Sequence, residues 1–213
     1  NNIIVLTIVA LFVVFVSYLL LPTFYNQNQI SEKLRAELQR KFDLDIKFSQ
    51  DIKYNFFPKP HFTTTGTIIF DNDIIISKIN KIKIFISLDN LFSLKNTKVR
   101  DLIFENANFK IDKKNYNFFV NIIDKNFIEG NLTIKNSNIF FRNLENDVLF
   151  ISKILKMKYY YEPKEQKNIL YSENEIFNIP FSIKSFLNSE KNKIFSTINL
   201  NLMKLKIENE LSL

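Results

Sequence analysis

The chain begins with a long apolar segment that carries no charge. Ile3 to Leu21 is interrupted by Thr7 and Ser17 alone. As an α-helix, this segment would span roughly 28 Å, close to the hydrocarbon thickness of a bilayer. The pattern therefore predicts a single transmembrane anchor within residues 1–25.

A cleaved signal peptide is the alternative for this segment. The apolar core of a signal peptide usually has about 7–15 residues and ends in small residues before the cleavage site. The segment here is longer, and Tyr18 to Pro22 has no pair of small residues at the required spacing. We therefore expect the helix to be an uncleaved anchor.

After a short polar linker, apolar residues recur every four positions. The members of this row are Ile30, Leu34, Leu38 and Phe42. With charged residues between them, they predict a short amphipathic helix within residues 26–43, capped by Asn28 or Ser31. The narrow stripe favours packing on the end of a domain, and binding to a membrane surface is the alternative.

Residues 44–213 alternate apolar and polar positions with the period of half-buried strands. The clearest run is 81–88. Residues 163–175 are charged and nearly free of alternation, which predicts a loop or a poorly ordered crossing segment. The phase slips near Met203 and Lys204, which predicts a bulge. Because the chain has two glycines, we expect Asn to occupy turn positions that need positive φ.

One strand-like segment occurs twice. Residues 102–111 are nearly repeated at 132–141, with shorter copies at 68–72 and 205–209. Each long copy has apolar residues two apart, then a charged residue and Asn, then further apolar residues two apart. We interpret each copy as strand, tight turn or bulge, strand. Repetition of such a unit predicts an elongated sheet rather than a compact enzyme pocket.

The predicted fold is therefore mostly β, with an N-terminal transmembrane helix, a short amphipathic helix and an elongated, antiparallel, half-open β-groove sheet. Strict alternation leaves one face of such a sheet apolar. No further long helix is evident after Phe42 to cover that face. The sheet must then close on itself, pack on a second sheet, or bury a molecule other than this chain.

Composition and charge exclude several functions. The net charge of the 213-residue chain is +7, but its basic residues are scattered, so we expect no nucleic-acid partner. The chain has no cysteine and one histidine. We therefore expect no metal site, no cofactor and no enzymatic activity, a membrane-tethered hydrolase included. His61 is expected to be structural or solvent-facing, and Asp71 to Asp73 to form a turn rather than a calcium loop.

The order of these parts resembles the amino-terminal region of the AsmA family of envelope proteins. A membrane helix and a short amphipathic helix are followed by a strand and then by the motif residues Phe57, Pro58, Pro60 and Phe62. Residues 99–117 resemble the family's repeated unit, although Asn106 and Ala107 replace its more usual Gly-Pro turn. Members are usually longer, so we expect a fragment or a short relative, incomplete at the C-terminus.

The resemblance implies a single-pass protein of the bacterial inner membrane whose β region is periplasmic. It implies a half-open groove like that of bridge-like lipid transfer proteins, and a role in outer-membrane lipid homeostasis and envelope biogenesis. The implied partners are the inner membrane, phospholipid and other envelope proteins.

A groove would lower the cost of exposing acyl chains to water, about 0.8 kcal/mol per methylene. We expect it to be lined by Ile82, Ile84, Ile86, Leu102, Phe104, Phe109, Ile111, Leu132, Ile134, Ile139 and Phe141. The alternative for these residues is an ordinary protein core. The alternative function is a non-transporting tethered scaffold, or an assembly factor for outer-membrane proteins, that binds protein through its sheet edge.

Overall fold

The computed structural model describes residues 2–49, 51–89, 91–124, 130–188 and 193–212. Helix α1 is Asn2–Leu20, and a 3₁₀ turn (Leu21–Phe24) joins it to α2 (Gln27–Phe42). A third helix, α3, is Tyr116–Asp124. The strands are β1 (Asp45–Lys47), β2 (Lys53–Asn55), β3 (His61–Asp71), β4 (Ile74–Ile86), β5 (Val99–Ile111), β6 (Asn131–Arg142), β7 (Val148–Glu162), β8 (Lys167–Ile176), β9 (Ile179–Asn188), β10 (Lys193–Leu200) and β11 (Leu205–Ser212).

Helix α1 extends away from the protein core, against which Tyr18 and Leu19 of its last turn pack. None of its side chains is buried, although nearly all are apolar. With the following turn it forms an apolar stretch of 23 residues, Asn2–Phe24, long enough to cross a membrane. The predicted N-terminal apolar helix is therefore present, and its exposed hydrocarbon surface would be unfavourable in water.

Helix α2 packs on the sheet with the face that the sequence indicates. Its four apolar residues at four-residue spacing are all buried. The predicted cap was wrong, because Asn26 caps the helix instead of Asn28 or Ser31. The Asn26 Oδ1 accepts the backbone N–H of Asn28 at 3.0 Å. Asn26 has extended backbone angles, which suit an N-cap residue, whereas Asn28 already lies within the first turn.

The strands form one open sheet in the order β1-β3-β4-β5-β6-β7-β8-β9-β10-β11, and β2 pairs with β3 beside β1. The mostly β fold with an elongated sheet is confirmed. Neighbouring strands are antiparallel with one exception among the described pairs, since β5 and β6 are parallel. The connection between these two strands contains α3, because parallel strands need a crossover rather than a hairpin.

The two repeat copies are the parallel pair β5 and β6, in register at a spacing of thirty residues. Leu102 pairs with Leu132, and Phe109 pairs with Ile139. Each copy is one continuous strand, so the tight turn of the two interpretations is wrong. The strands are interrupted at Asn106 and Asn136, both of which have positive φ, while the pairing on either side keeps its register. This left-handed interruption is called the bulge below.

The bulges continue across neighbouring strands. Gly66 in β3 also has positive φ, and it lies at the matching position of the β3–β4 ladder. On either side of the left-handed residue, the alternation of buried and exposed positions is shifted by one. As a result Leu102 and Phe104 before the bulge share a face with Phe109 after it.

Two predictions for the C-terminal part were wrong. Residues 163–175 are not a loop, because most of them belong to β8. The phase slip at Met203 and Lys204 is not a bulge within a strand. It marks the 3₁₀ turn Asn201–Met203 and the left-handed Lys204, which connect β10 to β11.

Candidate functional site: an apolar cavity beneath the third helix

Two rows of residues, each paired with the next across neighbouring strands, define the inward face of the sheet. The first row runs through Phe62, Ile84, Leu102, Leu132, Tyr159 and Leu170. The second runs through Thr64, Ile82, Phe104, Ile134 and Met157. Residues that face each other in register share one face of a sheet. The eleven predicted groove residues are therefore distributed over several strands of one surface.

Helix α2 packs against β1 and β5, and Lys41 near its end donates to the Val99 carbonyl oxygen at 2.8 Å. Ile82, Ile84 and Leu102 are fully buried and belong to one core cluster with Leu34 and Leu38 of the helix. Ile86 is buried in the same cluster. The protein's own side chains occupy this part of the predicted groove, so it offers no open space to another molecule.

Helix α3 lies over the next part of the surface, and its start is fixed to the end of β5. The side-chain amide of Asn115 donates to the Lys110 carbonyl oxygen at 2.9 Å, and its own backbone N–H donates to Asp112 Oδ1 at 3.1 Å. From this anchor the helix directs Phe118, Phe119 and Ile122 toward the sheet. The Phe119 ring meets Phe109 edge-on at 6.5 Å between centroids.

Between α3 and the sheet lies a partly open apolar cavity of about 190 Å³. Six of the predicted groove residues line it, namely Phe104, Phe109, Ile111, Leu132, Ile134 and Ile139. The sequence analysis missed the other lining residues, which are Leu44, Ile69, Phe118, Phe119, Ile122, Ile154, Met157, Tyr159 and Leu170. All of these side chains are aliphatic, aromatic or, for Met157, a thioether, so the cavity favours hydrocarbon over water.

The eleventh predicted residue, Phe141, lies on the same strand as Ile139 but does not line the cavity. Its ring stacks on Phe150 at 4.3 Å between centroids. The structure thus assigns four of the predicted residues to the closed core, six to the cavity, and Phe141 to a cross-strand aromatic pair.

Beyond the cavity, the inward face becomes partly polar. Ser172 and Asn174 of β8 are buried, and the Ser172 hydroxyl donates to Asn174 Oδ1 at 2.6 Å. Further along, the hydroxyl groups of Ser185 and Ser196 are 2.8 Å apart. These residues interrupt the apolar surface. It resumes beside them in the row of Ile183, Ile198 and Ile207.

The four motif residues are divided between surface and core. Phe57 and Pro58 are exposed, whereas Pro60 and Phe62 are buried. The Pro60 carbonyl oxygen accepts the backbone N–H of Ile86 at 3.1 Å. The motif therefore places the end of β4 against the start of β3.

His61 has a structural environment. Its Nδ1 lies 2.8 Å from the Lys59 carbonyl oxygen, to which it donates. Its ring stacks on Phe85 at 4.9 Å between centroids. In the described part of the chain, no group of three or more His, Cys, Asp or Glu residues could hold a metal ion. Asp71 to Asp73 form the predicted turn, with Asn72 and Asp73 at positive φ.

No protein-family model matches the chain, and no curated protein sequence matches it. The resemblance to the AsmA family therefore depends on the order of its helices, motif and repeats alone.

Proposed function

We propose that this chain is a single-pass membrane protein that holds part of a phospholipid acyl chain in the cavity beneath α3. The observation that carries the proposal is the apolar lining of a partly open cavity of about 190 Å³. The exposed apolar helix α1 supports membrane anchoring. The AsmA-like order of parts supports the bacterial inner membrane, a periplasmic sheet and a role in outer-membrane lipid homeostasis.

The physical basis is the transfer of hydrocarbon out of water. A cavity of roughly 150 Å³ lined by Leu, Ile and Phe side chains stays dry and binds small apolar molecules. Each methylene group that moves from water into such a cavity contributes about 0.8 kcal/mol. The cavity here is of comparable size, so it accommodates one segment of an acyl chain rather than a complete lipid.

The rest of the lipid would follow the sheet toward β11. From the cavity, the apolar row Ile183, Ile198 and Ile207 continues along the inward face. The hydroxyl groups of Ser185 and Ser196 beside this row contact each other and could also hydrogen-bond an ester or head group. In this proposal the acyl chain contacts the apolar row while the polar end of the lipid stays in water.

Photo-crosslinking in cell membranes tests the proposal. An aliphatic photo-reactive residue of about the size of isoleucine, bearing a diazirine, leaves the cavity open when it replaces Ile139, which lines the cavity, and it should capture phospholipid. The matched control is the same substitution at Ile84, which is also inward-facing but is fully buried and does not line the cavity. It should yield crosslinks within the protein. Absence of lipid at position 139, or equal capture at both positions, would reject the proposal.

A tethered scaffold is the second candidate function, and the exposed edge of the sheet favours it. All eight residues of β11 are exposed, and one side of this strand has no partner in the described sheet. Such an edge can pair with a strand of another protein. A photo-reactive residue that replaces Lys206 in β11 tests this alternative. Crosslinks from position 206 to another protein, together with no lipid crosslink at position 139, would support the scaffold over lipid binding.

A further inference from the structure

Two loops contact the C-terminal end of α1. The Tyr18 hydroxyl donates to the Leu88 carbonyl oxygen at 2.7 Å and accepts the backbone N–H of Leu91 at 3.0 Å. The Tyr54 hydroxyl donates to the Leu19 carbonyl oxygen at 2.6 Å. The loop after β4 and the strand before the Phe57 loop are therefore fixed to the last turn of the apolar helix.

The position of Tyr18 indicates how deep these contacts lie. Tyr18 precedes Leu21, the last residue of the uncharged segment, by three residues, or roughly 4.5 Å along the axis. Side chains on a helix lean toward its N-terminus. The Tyr18 hydroxyl therefore lies at the level of the helical turn that contains Tyr18, or closer to the N-terminus of the helix. Where α1 spans a bilayer, the backbone at Leu88 and Leu91 lies at the depth of the apolar segment's end.

Both segments carry exposed aromatic side chains. Phe92 is 75% exposed, and its ring contacts Tyr18 at 4.9 Å between centroids. Phe57, three residues after Tyr54, is 78% exposed. Aromatic residues are enriched at the boundary between hydrocarbon and head groups. Lys59 and Lys95, which follow within three residues of these rings, are also exposed and could contact lipid phosphates.

We propose that the loops carrying Phe57 and Phe92 insert these rings into the bilayer surface beside α1. The bilayer then contacts the protein at three points and fixes the orientation of the sheet. The strand ends at His61 and Ile86 face the membrane, and the opposite ends of the strands point away from it. This inference depends on α1 spanning the membrane and is independent of any ligand in the cavity.

Single-tryptophan variants test this inference, since the chain has no Trp. Phe57→Trp and Phe92→Trp in the full chain are reconstituted into phosphatidylethanolamine and phosphatidylglycerol vesicles. The matched control is Phe177→Trp. Phe177 is 77% exposed, but it lies in the β8–β9 turn, at the opposite strand ends from His61.

The inference predicts blue-shifted emission for the variants at 57 and 92, with loss of intensity when the lipids carry bromine atoms near the head-group end of the acyl chains. The Phe177→Trp variant should emit as a water-exposed tryptophan does and be quenched by iodide in solution. Quenching of all three variants by iodide, with no effect of brominated lipid, would overturn the inference.

A second measurement uses the absence of cysteine from the chain. A nitroxide label at Leu88→Cys should be more accessible to oxygen, which concentrates in the bilayer, than to a water-soluble nickel reagent. The control label at Leu144→Cys, in the β6–β7 turn at the opposite strand ends, should show the reverse. The same aqueous accessibility at both positions would contradict insertion, whatever the result of crosslinking at Ile139.

Discussion

Ala107 and Ser137 occupy equivalent positions in the two repeat copies, and they contact each other. The backbone N–H of Ala107 donates to the Ser137 hydroxyl oxygen at 2.9 Å. The Ser137 hydroxyl donates in turn to the Lys135 carbonyl oxygen at 2.8 Å. Both residues are buried. The side chain thus supplies hydrogen bonds at the bulge, where the regular ladder between β5 and β6 is interrupted.

Replacing this hydroxyl should destabilise the parallel pair. We expect Ser137→Ala to lower the free energy of unfolding by about 1–3 kcal/mol, because the buried Ala107 N–H loses its acceptor. Urea unfolding of the full chain in detergent measures the change. Ser182→Ala, a similar substitution in β9, is the control and should change stability by less. Equal effects of the two substitutions would mean that the Ser137 bonds do not stabilise the bulge.

The left-handed bulge residues give a second prediction. Asn106 and Asn136 have φ values of 55° and 47°, which L-residues with a branched or simple Cβ rarely adopt. Asn136→Ala should therefore cost about 1 kcal/mol or more, whereas Asn136→Gly should be close to neutral because glycine adopts this conformation without steric cost. The same urea experiment compares the two variants. An Asn136→Ala variant more stable than the Asn136→Gly variant would contradict the left-handed conformation at this position.

Truncating a side chain in the closed core should lower the free energy of unfolding more than truncating one that borders the cavity. Leu34 of α2 is fully buried, so Leu34→Ala should cost about 2–5 kcal/mol. Ile139 is half-buried and borders the cavity, so it has fewer contacts to lose, and Ile139→Ala should cost roughly 1–2 kcal/mol. Thermal unfolding of both variants without added lipid checks this order. A cost at Ile139 equal to that at Leu34 would indicate a closed core.

A buried acid on α2 makes stability depend on pH. Glu37 is 6% exposed and contacts Arg40 and Lys33 at 2.9 and 3.2 Å. Burial favours the neutral acid, but these two cations outweigh it and lower the Glu37 pKa below its ordinary value. The contribution to stability is therefore complete above the unfolded-state pKa and is lost as the pH falls through the lower folded-state pKa.

Glu37→Gln should accordingly reduce stability at neutral pH and have a smaller effect at about pH 3. Urea midpoints of the native chain and the variant, measured across this range, give the difference directly. Glu32→Gln on the same helix is the control, and its effect should be small throughout. A Glu37→Gln effect that grows toward acid pH would contradict the lowered pKa.

Much of the fold follows from short-range pattern. The spacing of Ile30, Leu34 and Leu38 specifies which face of α2 is buried, and alternation specifies most strands. Strand β8 was missed because its inward positions include Ser172 and Asn174, which satisfy each other by a hydrogen bond. Alternation of apolar and polar residues cannot detect a strand whose buried side is itself polar.

The arrangement of the repeats could not be derived from the sequence pattern. Strand-like copies such as 102–111 and 132–141 are compatible with antiparallel or parallel neighbours. The choice is decided by α3, whose apolar residues Phe118, Phe119 and Ile122 have helical spacing. Because this helix was not recognised, both the parallel pair and the cover of the cavity were missed. The bulge explains why Phe104 and Phe109 line one cavity despite their odd separation.

The central claim is that a lipid acyl chain occupies the cavity beneath α3, and native mass spectrometry of the detergent-purified full chain tests it most directly. Ile139→Trp would fill the cavity, whereas Ile151→Trp adds the same ring to the outward face, next to Phe140. We predict bound phospholipid on the native chain and on Ile151→Trp, and its loss from Ile139→Trp. A native chain without phospholipid, or equal amounts on both variants, would contradict the claim.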